Sequence, residues 1–365
     1  MSLEPSRIVR ARRRAGISKK RLADLIGATP RTISNYETRG APDALAATLA
    51  DVLNVDPTFF SMPATSPLEE DRVFFRARRR TSAAVRHAAS EAGRTGVEFY
   101  SLIAEHFKLP EVDLPDLVGM GPAIAARQLR AHWKVGAGPL PNLIQLAESR
   151  GLRVMSLPGT TDEVDAFSVW EKGVPYIFLS QRKTAERSRF DLAHEIGHLV
   201  LHSGLGNGDS VERDAEREAD AFASEFLLPG EVLRGALPRQ PSTEAVLKAK
   251  VSFGVSAMAM AYSLFRNGLL SEWAHRQMCI DLTRRGYRSS EPGGIHRETS
   301  RVFSLTLSLA RQRLGLGTEE IAQALGVCPQ EIHELTFGHA VTPVASVGGS
   351  SAAPEPGPRP SLRVV

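Results

Sequence analysis

Residues 190–202, FDLAHEIGHLVLH, decide how this chain is read. On a helix, positions i and i+4 share a face, so His194 and His198 can present imidazole nitrogens to one ion while Glu195, one step round, reaches a water held there. The same spacing arises by chance, and charged residues on a helix are usually solvated. Here, however, the surrounding residues Leu192, Ala193, Ile196, Leu199, Val200 and Leu201 are apolar. That predicts a buried helix, in which two histidines and a glutamate are costly unless something satisfies them. A zinc ion would satisfy all three.

A catalytic zinc takes a third protein ligand and keeps one position open. Residues 212–226, ERDAEREADAFASEF, offer Glu216 and Asp220 four apart on one helical face. Glu216 is therefore the expected third ligand, and Asp220 the expected acceptor for the far nitrogen of a ligating histidine. Glu218 is the rival ligand, but it points to another side of the helix from Asp220. His202 continues the i+4 series, yet one straight helix cannot bring three turns to a single ion. It is read as a helix-end cap or as a partner of its polar surroundings.

Together with DAFSVWEKGVPYIFLS at 165–180 and EREADAFASEFLLP at 216–229, the opening stretch is similar to the ImmA/IrrE family of metallopeptidases, over roughly Gly121 to Leu270. The resemblance implies a gluzincin-like fold with His194, His198 and Glu216 as zinc ligands and Glu195 as general base. The β-like run VPYIFLS is expected to offer a sheet edge to an extended substrate.

Residues 8–60 carry a separate signal. Ser18 can cap a helix whose Leu22, Leu25 and Ile26 face inward, Gly27 stops it, and Thr29-Pro30 starts another with Ile33 inward. The pattern resembles the Xre/Cro-like helix-turn-helix repressors. Its second helix, Thr29 to about Glu37, is expected to expose Arg31, Thr32, Asn35 and Tyr36 to a DNA major groove. Lys19 stands where that family commonly has a glutamine, and is expected to contact phosphate less geometrically.

The net charge of +4 is concentrated in RIVRARRR at 7–14 and FRARRR at 75–80, which fits a polyanionic partner. A hydrophobic share of 42% supplies a core and excludes a disordered chain. Cys279 and Cys328 are too few for a disulfide framework. The start lacks an apolar signal segment, and the longest apolar stretch, residues 251–265, is too short to span a membrane. A cytoplasmic protein with no membrane contact is expected.

The expected fold is mainly α with a small β-sheet. Residues 5–62 form an all-α helix-turn-helix domain, 63–117 a linker with connecting helices, and 118–275 an α+β gluzincin-like metallopeptidase domain. Residues 276–340 form a helical region for packing or dimerisation, and 341–365 a disordered tail. Within the helical region, residues 305–338 echo helix, Gly, helix, but Glu331 and Glu334 stand where base contacts would lie. The expected function is a regulator that binds double-stranded operator DNA as a homodimer and uses zinc to hydrolyse a peptide bond in a regulatory protein. The other reading is a DNA-binding sensor whose zinc-peptidase fold holds a small-molecule signal. Retention of Glu195 favours the first reading, and fusion to a DNA-binding domain the second.

Overall fold

A computed structural model describes residues 2–64, 73–77, 82–161, 164–203, 209–340 and 363–364. The N-terminal unit comprises α1 (Pro5–Arg14), α2 (Lys19–Ile26), α3 (Pro30–Arg39) and α4 (Ala46–Leu53). Its helix ends follow the sequence signals: the Ser18 side chain accepts from the Arg21 amide, Gly27 ends α2 at φ 67°, and the Thr29 side chain accepts from the Thr32 amide. Leu25 departs from expectation. It is 43% exposed, because Ala23 beside Leu22 takes the inward place on a helix of barely two turns.

The next elements are β1 (Val73–Ala77), α5 (Ala83–His106), β2 (Phe107–Lys108), α6 (Pro122–His132), α7 (Leu143–Ser149), β3 (Arg153–Ser156), β4 (Val164–Glu171) and β5 (Val174–Leu179). Four strands make one sheet in the order β1-β4-β5-β3. The stretch just before the expected β-run is itself a strand, β4, and it turns into β5 through Lys172 and Gly173 at φ 50° and 78°. This corrects the expected edge. VPYIFL is β5, hydrogen-bonded to antiparallel β4 on one side and parallel β3 on the other, so it has no open side.

Both faces of the sheet are covered. Ala166 of β4 and Ile177 and Leu179 of β5 enter one core, while Phe167, Val169 and Phe178 enter the other, as the period of two requires. Helices α8 (Ala185–Leu201), α9 (Asp209–Leu227), α10 (Gly230–Ala236), α11 (Thr243–Phe253), α12 (Ala257–Arg266) and α13 (Glu272–Arg284) follow, α8 and α9 being the longest of them. Residues from these helices build the first core together with α6 and α7. The second core joins α5 to α14 (Arg301–Leu309), α15 (Thr318–Leu325) and α16 (Pro329–Leu335). Helix α5 is thus a wall of the sheet as well as a connection. Gly93 and Gly96 allow the approach: a Cβ at these positions would meet the Phe167 ring at 2.7 Å and Met155 Sδ at 2.5 Å. Strand β6 (Arg363–Val364) pairs with β2, and the remainder of the expected disordered tail lies outside the described residues.

The arginine cluster at 7–14 has a different use from the one its charge suggests. Arg7, Arg10 and Arg14 recur at helical spacing on the buried face of α1. Arg10 grips both carboxylate oxygens of Glu98 at 2.7 Å, Arg14 pairs with Glu331 of α16 at 2.9 Å, and Arg7 donates to the Pro63 carbonyl. The cluster packs the N-terminal unit onto α5 and α16. Helix α16 follows α15 through Gly326 at φ 67°, the turn conformation seen at Gly27, and Pro329 starts it as Pro30 starts α3. Its second helix faces inward, however: Ile332 and Leu335 are buried, and Ser156 of β3 donates to the Glu334 carbonyl.

Glu148 of α7 is fully buried and accepts from the Ser300 hydroxyl and from the Arg301 and Val302 amides at 3.0 and 3.2 Å, capping α14. Burial pushes its carboxyl up to about 7, against the pull of these hydrogen bonds. A carboxyl raised on folding binds more protons in the native than in the unfolded chain between about pH 4.5 and 7, so its contribution is complete at low pH and is lost as pH rises through that window. The difference in stability between wild type and Glu148→Gln, read from urea midpoints, should therefore shift by about 1–3 kcal/mol between pH 5 and 8, with wild type the one that weakens.

Candidate metal centre

Helix α8 starts at Thr184, whose side chain accepts from the Arg187 amide, and then runs between the sheet and α9. Gly197 lets α9 close on it, since a Cβ there would stand 2.9 Å from the Phe222 ring. This position between two layers buries the polar face of α8. His194 and Glu195 are 0% exposed and His198 and His202 are 1% exposed.

Glu216 of α9 meets the two histidines. The Nε2 atoms of His194 and His198 are 3.0 Å apart, and the Glu216 carboxylate oxygens lie 3.1 Å from His198 Nε2 and 3.5 Å from His194 Nε2. Tetrahedral zinc with bonds near 2.0–2.1 Å holds its ligand atoms about 3.3 Å apart. The donor set fits such an ion in spacing and in chemistry, and among the described residues it is the cluster with metal-binding geometry.

The far nitrogens are also engaged. His194 Nδ1 is 2.9 Å from Asp220 Oδ1. His198 Nδ1 is 3.0 Å from His202 Nδ1, and His202 Nε2 is 3.0 Å from Glu218 Oε2. Each of the two histidines therefore ends on a carboxylate, one directly and one through a third imidazole. With a cation at both Nε2 atoms, a single proton arrangement satisfies every contact: His194 Nδ1–H donates to Asp220, His198 Nδ1–H to His202, and His202 Nε2–H to Glu218. The Ser168 hydroxyl of β4 donates to Glu195 Oε2 at 2.6 Å. Burial lowers His198 to about 4, only partly offset by its hydrogen bond with Glu216, so its imidazole is neutral at neutral pH. Burial alone would raise Glu216, but hydrogen bonds from His194 and His198 outweigh it and hold the carboxyl well below its usual range.

The structure thus brings together His194, Glu195, His198, Glu216 and Asp220, the residues singled out from the spacing. Sequence reasoning missed Ser168 and set aside Glu218 and His202. The signal for Ser168 lay in the alternation of DAFSVWE, which puts Ala166, Ser168 and Trp170 on one face. For His202, the i+4 series gave the direction but no partner.

In the N-terminal unit, Arg31 and Asn35 of α3 are exposed to solvent. Thr32 is half-buried, its hydroxyl 2.8 Å from that of Thr29, and Tyr36 packs partly against the core of the unit. Lys19 Nζ is 3.0 Å from Glu37 Oε2 and 3.1 Å from Ser34 Oγ, so it braces α2 against α3. Lys20 and Arg21, not singled out from the sequence, are exposed in the first turn of α2.

Two family models match the chain. Residues 147–265 match the IrrE N-terminal-like domain of the Peptidase M78 family, and residues 8–60 match a helix-turn-helix family. The chain therefore fuses a helix-turn-helix domain of the Xre-like kind to an IrrE-like α+β peptidase-family domain. No curated protein matches it. Among the described residues, no helix is long and apolar enough to cross a membrane.

Proposed function

We propose that this protein is a DNA-binding transcriptional regulator whose second domain is a zinc metallopeptidase acting on a peptide bond of a regulatory protein. The observation that carries the enzymatic part is the Ser168–Glu195 hydrogen bond beside the His194–His198–Glu216 cluster. A site that merely held a metal for structure would need no buried glutamate kept in place next to its ligands.

His194, His198 and Glu216 would hold the ion, with Asp220 and the Glu218–His202 pair orienting the two imidazoles. A zinc ion in this position supplies Lewis acidity, polarising a scissile carbonyl and making a water acidic near neutral pH. Glu195 takes the proton of the attacking water and returns it to the leaving amine. Ser168 fixes one carboxylate oxygen of Glu195 during both transfers.

Zinc titration tests the site residue by residue. His194→Ala with His198→Ala should abolish zinc binding, Glu216→Ala should remove most of it, and Glu195→Gln should leave it intact. Asp220→Ala and His202→Ala should each weaken it by about ten- to a hundredfold. Full zinc occupancy in the double histidine variant would overturn the centre. Incubation of the zinc-loaded protein with candidate repressors, compared with Glu195→Gln and with chelated protein, tests the chemistry. Cleavage confined to the zinc-loaded wild type supports the peptidase, whereas intact substrates throughout favour the sensor reading.

The DNA-binding part is supported by the helix-turn-helix match and by the exposure of Arg31 and Asn35 on α3. Replacing either with alanine should weaken operator binding by about tenfold or more while changing binding to random DNA far less, because base contacts specify and phosphate contacts position. Lys19→Ala should weaken both alike. Binding measured on operator and random duplexes at one salt concentration checks this, and equal losses for all three variants would remove α3 from the recognition role.

A further inference from the structure

Strand β4 is the strand that meets the candidate centre: Ser168 holds Glu195, and the Trp170 indole N–H reaches the Leu199 carbonyl of α8 at 3.4 Å. One long side of β4 pairs with β5. Its other side would be a row of unpaired amides and carbonyls beside the proposed general base, and such an edge accepts an extended chain by strand addition. In this structure the edge is filled by the chain itself. Val73–Ala77 pairs with it antiparallel, Val73 opposite Val169, Phe74 opposite Ser168, Phe75 opposite Phe167 and Arg76 opposite Ala166. Phe74 thus stands directly across from the serine that fixes Glu195.

The composition of this segment matches that position. The connection from the helix-turn-helix domain to α5 reads SMPATSPLEEDRVFFRARRRT over residues 61–81, and Val73, Phe74 and Phe75 are its one run of consecutive β-branched and aromatic residues. A plain connection needs no run of β-branched and aromatic residues, whereas a strand does. The segment is also tethered close by, since Ser82 caps α5 and α5 packs on the far face of the same sheet. A tether of this length gives an effective concentration on the order of millimolar, against which any peptide from outside must compete.

We infer that Val73–Ala77 is an internal pseudosubstrate, occupying in cis the strand position that an extended peptide substrate takes along β4. It rests on the reading of the centre as a peptidase, and adds that access is regulated: a substrate enters only when this segment leaves the edge. The partner class is an unfolded or extended peptide segment that can pair with β4 through its main chain.

The test uses the full chain in two variants. In the first, Phe74→Pro with Phe75→Pro removes a ladder donor whichever of the two amides faces β4, because successive amides of an antiparallel strand alternate in direction. In the second, residues 70–80 are replaced by a Gly/Ser segment of equal length, which lacks strand propensity but introduces no proline. Hydrogen exchange along β4 and binding of a fluorescent peptide copy of residues 70–80 are measured on metal-free protein. In both variants β4 amides should exchange at least about tenfold faster than in wild type, and the peptide should bind at least about tenfold tighter. Unchanged exchange along β4, or equal peptide binding by wild type and both variants, overturns the inference. The candidate repressors, given to the zinc-loaded wild type and both variants, separate the two readings. Binding exposed in the variants without cleavage in any protein overturns the peptidase and leaves the cis occupant standing. Equal cleavage in all three with unchanged exchange does the reverse.

Discussion

Four ionisable side chains on one face of α8, His194, Glu195, His198 and His202, are almost wholly removed from solvent, and the fold depends on satisfying them. Burying polar groups without partners costs more than the marginal stability of a domain allows. Helix α9 resolves this by presenting Glu216, Glu218 and Asp220 to the imidazoles, while β4 presents Ser168 to the glutamate. The pairing of α8 with α9, and the seating of α8 on the sheet, therefore follow from the same polar ladder that builds the candidate centre.

That ladder is graded from the inside outward. The imidazoles are buried, whereas the carboxylates that receive them are 37% exposed at Glu216, 51% at Glu218 and 54% at Asp220. A carboxylate at the solvent boundary keeps its charge at little cost and still fixes the tautomer of a histidine behind it. The arrangement directs both Nε2 atoms at one point, where a metal requires them unprotonated.

The helix-turn-helix domain is joined to the rest of the chain by a second buried polar system. Arg10 with Glu98, Glu91 and Thr95, and Arg14 with Glu331, connect α1 to α5 and α16. Residual apolar contact surrounds them, with Phe59 beneath the Arg7 and Arg10 guanidinium groups. Buried ion pairs of this kind add little net stability but penalise any arrangement that breaks them, so they favour one orientation of the two parts over others. The α15–α16 element shares its turn geometry with a DNA-binding motif and serves here as the wedge that receives Arg14.

What the sequence determined by itself were the local features. The caps at Ser18 and Thr29, the stop at Gly27, the helix through FDLAHEIGHLVLH and the common face of Glu216 and Asp220 all depend on residues within a turn or two of each other, where periodicity and capping chemistry decide. Tertiary structure decided the rest. VPYIFL is an apolar run that fits an edge or a centre strand equally well, and only the parallel pairing with β3 made it central. The arginines of α1 carry the composition of a nucleic-acid patch, and only their packing against Glu98 and Glu331, far away in sequence, turned them inward. His202 and Glu218 could be placed on their helices but not joined, because whether two residues on different helices meet depends on the rotation and separation of those helices. Here that is set by the close approach at Gly197 to Phe222.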